Sequence, residues 1–115
     1  MEKIWVIIIN NIYIKENILL DLKEDIISKI IEISKKHQEI EKVVLFGSRA
    51  RGDNSTKSDI DLAIYSNKSI YSFIEDVELN IRTLLEFDFS DMNLVKDEFF
   101  IEQVKNDGVV LYEKC

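Results

Sequence analysis

The 115-residue chain contains no proline, three glycines, one histidine and one cysteine. Without proline, and with so little glycine, no stretch reads as an interdomain linker. A second domain is not expected at a length that usually folds as one unit. The only cysteine is Cys115, the last residue, which excludes an intrachain disulfide and leads us to expect a reducing compartment, the cytoplasm. His37 lies in a charged stretch with no second His or Cys to complete a zinc site. Basic residues are the minority, 15 against 22 acidic, for a formal charge of −7. Phosphate-tracking surfaces need clustered Lys and Arg, so direct nucleic-acid binding is disfavoured. A basic protein partner, or a small anionic substrate held through metal ions, fits this balance. The apolar run Ile4 to Ile9 falls short of the ~20 residues that span a bilayer. It is also shorter than a signal-peptide core, and no small-residue cleavage site follows it. There are no repeats and no low-complexity tracts.

What is present is a succession of short periodic segments. Ile4 to Ile9, rich in β-branched residues and followed by Asn10-Asn11, reads as a strand or packing arm, so residues 1–15 are set apart from a domain over 16–115. As an exposed edge, this arm could instead pair with another chain. From Asp21 to about Lys36 the positions Leu22, Ile26, Ile27, Ile30, Ile31 and Ser34 recur at helical spacing. Asp21 and Glu24 match a capping box, and Lys35, Lys36 and His37 suit the negative end of the helix dipole. Lys42 to Phe46 is a continuous apolar run, expected as a strand buried on both faces. Ser58 to Tyr65 alternates: Ile60, Leu62 and Ile64 share one face, while Asp59, Asp61 and Ala63 share the other. Helical spacing returns over about Ser69 to Leu85, strand character over Phe87 to Val95, a short helix over Asp97 to Lys105 with Phe99 or Phe100 inward, and a closing strand over Val109 to Tyr112. This order predicts an α/β (α+β) layer structure with a small mixed sheet and helices packed on it.

The chemistry concentrates in VVLFGSRARGDNSTKSDIDLAIY, residues 43–65. Asp59 and Asp61, on one strand face, place two carboxylates close together, which is costly unless a cation lies between them. Oxygen-only ligands select Mg²⁺ or Mn²⁺ over zinc. The alternative reading of an Asp-x-Asp strand is simply a solvated face. Gly47 ends the buried strand and allows close backbone approach to a ligand, and Ser48 offers a hydroxyl and an N–H, which is a geometry for phosphate oxygens. Gly47 to Gly52 also begins like a P-loop, but Asp53 and Asn54 stand where Lys and Ser/Thr are needed, so a Walker A site is rejected. Arg51-Gly52-Asp53 spells an adhesion tripeptide that reads here as a polar turn. Tyr65, Ser66 and Lys68, just past the Asp strand, are further candidates to line an adenine or acceptor pocket.

Gly47-Ser48, ten residues, then Asp59-Ile60-Asp61, inside GSRARG and SDIDL, resembles the signature of the minimal nucleotidyltransferases of the DNA polymerase beta superfamily. Element order and length over about Asp21 to Glu113 are similar as well. The resemblance implies the nucleotidyltransferase fold, with Gly47 and Ser48 binding the nucleotide triphosphate and Arg51 contacting phosphate. It implies that Asp59 and Asp61, with a third acid on a neighbouring strand, hold two metal ions and form the catalytic set. For the third acid, FDFSDMNLV offers Asp88 and Asp91, with Glu86 beyond. Asp88 is preferred, because between Phe87 and Phe89 it points away from two core residues. On this resemblance the chain is an Mg²⁺-dependent enzyme, two ions with Mn²⁺ an alternative, that moves AMP from ATP to a hydroxyl. Stand-alone members of the family commonly act as antitoxins that adenylylate a HEPN-type helical toxin, which makes that toxin the expected partner. Homo- or hetero-oligomers are both open. The rival readings are a non-catalytic subunit that neutralises its partner by complex formation, and a nucleotide sensor.

Overall fold

The computed structural model describes residues 14–15, 18–19 and 21–115. The strand expected at Ile4 to Ile9 lies outside the described residues. Two short antiparallel strands, β1 (Ile14–Lys15) and β2 (Ile18–Leu19), come first. They are followed by α1 (Glu24–Lys36), β3 (Ile40–Phe46), α2 (Ser48–Arg51), β4 (Ile60–Ser66), α3 (Tyr71–Asn80), β5 (Phe87–Asp91), α4 (Glu98–Asp107) and β6 (Val109–Glu113). The main sheet runs β5-β4-β3-β6. In it β3 is antiparallel to both β4 and β6, and β4 is parallel to β5, the one pair joined by a helical crossover. This is the α/β architecture with a mixed sheet that the element order predicts.

The two faces of the sheet bury different sets. On one, Val43, Leu45, Ile60, Leu62, Ile64, Val109 and Leu111 pack against Ile26, Ile27, Ile30 and Ile33 of α1 and Phe73 and Val77 of α3. On the other, Val44 and Ala63 pack against Val104 of α4, with Phe46, Tyr65 and Phe100 around them. Val43, Val44 and Leu45 are therefore all buried, as expected of a strand covered on both sides. The second face of β4 departs from the expectation of a plain carboxylate face. Only its first turn is open at Asp61, because α4 covers Ala63 and Tyr65.

Three boundaries differ from the periodicity. The helix-capping role of Asp21 is not realised: Lys23 is the N-cap of α1, with no side-chain cap bond. The Asp21 carboxylate instead accepts from Asn54 Nδ2 at 2.9 Å. On the core side of α1, Ile33 is buried while Ile31 is only partly covered. Helix α3 stops at Asn80 rather than near Leu85. Thr83 Oγ1 accepts the Leu85 N–H at 3.1 Å, a local bond that competes with the helical one, and Leu84 is left fully exposed. Strand β5 ends at Asp91, whose Oδ1 accepts the Asn93 N–H at 3.0 Å and turns the chain before Val95. Helix α4 starts where expected, with Asp97 accepting from the N–H groups of Phe99 and Phe100. Of the two phenylalanines, Phe100 turns inward edge-on to Phe46, while Phe99 is exposed.

His37, expected at a helix end, ties α1 to α3. Its ring nitrogens meet Glu39 at 3.3 Å and Asp76 at 2.8 Å, and its edge packs on Phe73. The His37 bond, more than any other neighbour, holds the Asp76 carboxyl below its ordinary value. Among the described residues no helix is long and apolar enough to cross a membrane.

Candidate active site

The site forms where β3, β4 and β5 come together at one edge of the sheet. Phe46, the last residue of β3, is in register with Asp61, the second of β4. Gly47 then turns the chain into α2 with φ +77°, a conformation that side chains other than glycine rarely adopt. A Cβ at Gly47 would overlap the Asp61 carboxylate. The backbone that carries Ser48 into α2 therefore lies directly against this acid. Gly52 ends α2 in the left-handed conformation, so the short helix is bounded by glycines on both sides.

Asp88 reaches the same place from β5. The parallel register pairs Asp61 with Asp88, Ile60 with Phe87 and Leu62 with Phe89. Phe87 and Phe89 stack at 5.7 Å and pack on the core, and Phe89 meets Phe73 edge-on at 6.3 Å. Alternation along the strand then turns Asp88 to the open face beside Asp61. The Ile60 N–H donates to Glu86 O at 2.8 Å, which locks this pairing at its start. Asp59 lies one residue before β4 and is exposed, so it belongs to the loop mouth rather than to the strand on which alternation placed it.

The electrostatics follow from this crowding. Burial, then the neighbouring charges of Asp88 and Asp59 and a hydrogen bond with Asp88, raise the Asp61 carboxyl to about 6, with Arg51 opposing. The Asp61 carboxyl is thus costly to ionise beside Asp88 and Asp59, and a cation at this place would offset that cost. Their all-oxygen donor set suits Mg²⁺ or Mn²⁺. Among the described residues no three His, Cys, Asp or Glu side chains converge into a finished metal cage. What fits a divalent ion is the Asp61 and Asp88 pair, with Asp59 acting on it at charge range.

The remaining sequence candidates separate. Arg51 is 44% exposed at its side chain and engaged with Asp53 at 3.0 Å and Asp107 at 3.7 Å, while its charge also acts on Asp61. Asp91 spends its carboxylate on the turn after β5. Glu86 contributes its main-chain carbonyl to the ladder. Tyr65 and Ser66 stand at the far end of β4, four and five residues from Asp61, about 13 to 16 Å along a strand. Tyr65 lies under the Lys42 ammonium at 4.6 Å, and Ser66 Oγ donates to Lys68 O at 2.5 Å. These three therefore do not line the acid site.

Sequence reasoning passed over Arg49. It is 5% exposed, and its guanidinium donates to three main-chain carbonyls: Ser58 at 3.1 Å, Asp21 at 3.0 Å and Thr56 at 3.2 Å. The available signal was the loop itself, since DNSTKS over residues 53–58 carries no apolar anchor and needs a polar one. One acceptor in this loop, Asn54 Oδ1, is buried without a hydrogen-bond partner.

The chain is similar to known proteins in sequence and in fold. In sequence, the chain is 41% identical over 61 residues to a Methanocaldococcus jannaschii protein that carries the provisional name protein adenylyltransferase; the match covers 46% of this chain and 61% of that one. The chain thus spans somewhat under two thirds of that relative's length. In fold, it is similar to a chain of a MntA–HepT toxin–antitoxin variant (TM-score 0.60, 19% identity, 76% of this chain and 73% of that one). A toxin–antitoxin structure with AMP-PNP gives TM-score 0.59 at 21% identity, covering 81% and 75%. A complex of a tri-AMPylated Shewanella oneidensis HEPN toxin with MNT antitoxin gives 0.57 at 18% identity, covering 81% and 74%. At these identities the structural likeness establishes the fold. The family description "Polymerase beta, Nucleotidyltransferase" matches residues 28–115, from within α1 through β6 and including every acid of the site, and the chain belongs to that family.

Proposed function

We propose that this chain transfers AMP from ATP to a hydroxyl group of a partner protein, with Mg²⁺ as cofactor, and that the partner is a HEPN-type toxin which it neutralises as antitoxin in the cytoplasm. The observation that carries the reading is the register of Asp61 with Asp88 on adjacent strands, with the Gly47 backbone lying directly against the Asp61 carboxylate. The family assignment supports nucleotidyl transfer, and the names of the relatives support a protein as acceptor.

Each residue then has a part. Asp59, Asp61 and Asp88 hold the metal ions. Gly47 and Ser48, on the turn that lies directly against Asp61, receive the triphosphate. Arg51, held at the exposed end of α2 by Asp53 and Asp107, contacts phosphate by exchanging those partners. Asp88, exposed on the edge strand β5, faces the side from which an acceptor hydroxyl approaches and takes its proton as the oxygen attacks the α-phosphorus and pyrophosphate departs. The chemistry supplied by the metal at these carboxylates is neutralisation of the triphosphate and stabilisation of the leaving group. The protein adds positioning and a partly dry, polar site, which is where most of the rate acceleration in such transfers arises.

A second reading has its own support. Among the described residues no finished cage exists, and Arg51 is already engaged, as would suit a subunit that neutralises its partner by complex formation alone. One assay separates the two. Purified chain, the toxin-like partner and ATP labelled at the α-phosphate should give labelled partner with Mg²⁺. Asp59→Ala should lower that labelling by roughly 100-fold or more, the scale of losing a metal ligand or its support. A partner that is neutralised yet carries no label would remove the enzymatic reading and leave the binding one.

A further inference from the structure

We infer that Arg49 is a positioning residue for Asp59, acting through the loop backbone and not through its charge. The inference rests on the proposed metal role of Asp59. Three observations carry it. A buried guanidinium is expensive unless its donors are satisfied, and a carboxylate is the usual partner. Among the described residues Arg49 bonds to none: its acceptors there are the carbonyls of Ser58, Thr56 and Asp21. The charges that act on Asp61 are those of Asp88, Asp59 and Arg51. Finally, the Ser58 carbonyl belongs to the very peptide group that delivers the Asp59 N–H, so the bond from Arg49 Nε at 3.1 Å fixes the plane from which Asp59 projects.

The geometry makes the guanidinium a bracket between elements. Residue 49 sits in α2, immediately behind Gly47 and Ser48, and Asp21 N–H donates back to Arg49 O at 3.0 Å. One side chain therefore ties the phosphate-side turn to the loop that ends at Asp59. Without it, residues 53–58 keep the bond from Asn54 Nδ2 to the Asp21 carboxylate at 2.9 Å and local bonds such as Ser55 N–H to Ser58 Oγ at 3.0 Å, none of which holds the Ser58 carbonyl. Lysine cannot substitute, because one ammonium on a flexible stem does not reach three carbonyls in fixed directions.

The test uses the full chain with Arg49→Lys and Arg49→Ala, read in two ways. Hydrogen exchange in the absence of metal should show the 52–59 segment opening at least tenfold faster in both variants, while segments from α1 and β3 keep their protection. Mn²⁺ titration followed by electron paramagnetic resonance, normalised to folded protein, should show affinity reduced roughly 10- to 100-fold, the usual effect of losing a residue that orients a metal ligand. Millimolar guanidinium should restore part of both in Arg49→Ala, which keeps the test valid if Arg49→Ala alone folds poorly. Unchanged exchange at 52–59 overturns the inference whatever the metal does. Faster exchange with unchanged Mn²⁺ affinity also overturns it, since Arg49 would then be architectural only. A wild-type chain that binds no Mn²⁺ would instead sink the metal reading proposed above, and the positioning role with it.

Discussion

Asp61→Asn is expected to silence transfer and, in the metal-free chain, to raise the unfolding temperature. Asparagine keeps the shape and removes the charge that Asp88 and Asp59 oppose. The sign follows from the raised carboxyl. An acid held at about 6 in the fold, against 3.8 ordinarily, binds a proton more tightly folded than unfolded. Its contribution to stability is complete below pH ~3.8 and is lost as pH rises through about 6. At neutral pH the ionised Asp61 is therefore a liability. The shift of about 2 units corresponds to ~3 kcal/mol at most, and water at this partly exposed site brings it to roughly 1 to 2 kcal/mol. For a domain of this size that is about 5 to 10 °C in Tm. Thermal unfolding at pH 4 and pH 7 checks the idea: wild type and Asp61→Asn should converge at the acid end and separate at neutral pH. Added Mg²⁺ should close the neutral gap by stabilising wild type alone. Equal Tm values at pH 7 would mean that the acids are not crowded.

Gly47→Ala is expected to cost both fold and function. Its φ of +77° is unfavourable for alanine by ~1 to 2 kcal/mol, and the new methyl would overlap the Asp61 carboxylate. Together these should destabilise the chain by roughly 2 to 4 kcal/mol and move Asp61 off its register with Asp88. Gly52→Ala serves as the comparison, since Gly52 also has positive φ but ends α2 on its far side. It should lose ~1 kcal/mol and keep transfer. If the two variants lost activity equally, backbone strain in general, and not the close approach to Asp61, would be responsible.

The contrast between Asp88 and Arg49 explains what could be foreseen from sequence. Asp88 is flanked by Phe87 and Phe89, and a two-residue period leaves one orientation once both phenylalanines find the core. Its place opposite Asp61 is a matter of strand register, which the hydrophobic pattern specifies strongly. Arg49 offers no such pattern, because its partners are carbonyl oxygens that any residue could supply and two of them lie in a loop without apolar positions. Asp21 misleads for a related reason. A capping box is a local signal, but Asn54, 33 positions away, claims the carboxylate in the folded chain. In the same way Leu84 and Leu85 continue the spacing of α3, yet Thr83 turns the chain before them. Local periodicity thus reports which residues can be buried, while side-chain to backbone bonds decide where elements stop.

The central claim is that Asp61 and Asp88 form a metal-binding pair rather than an incidental clustering of acids on a sheet edge. It is tested most directly by anomalous diffraction from crystals of the chain grown with Mn²⁺ and a non-hydrolysable ATP analogue. The expected result is an anomalous peak between the Asp61 and Asp88 carboxylates, shared with Asp59, with the triphosphate against Gly47 and Ser48. Nucleotide bound elsewhere, or no anomalous density at the pair, would contradict it.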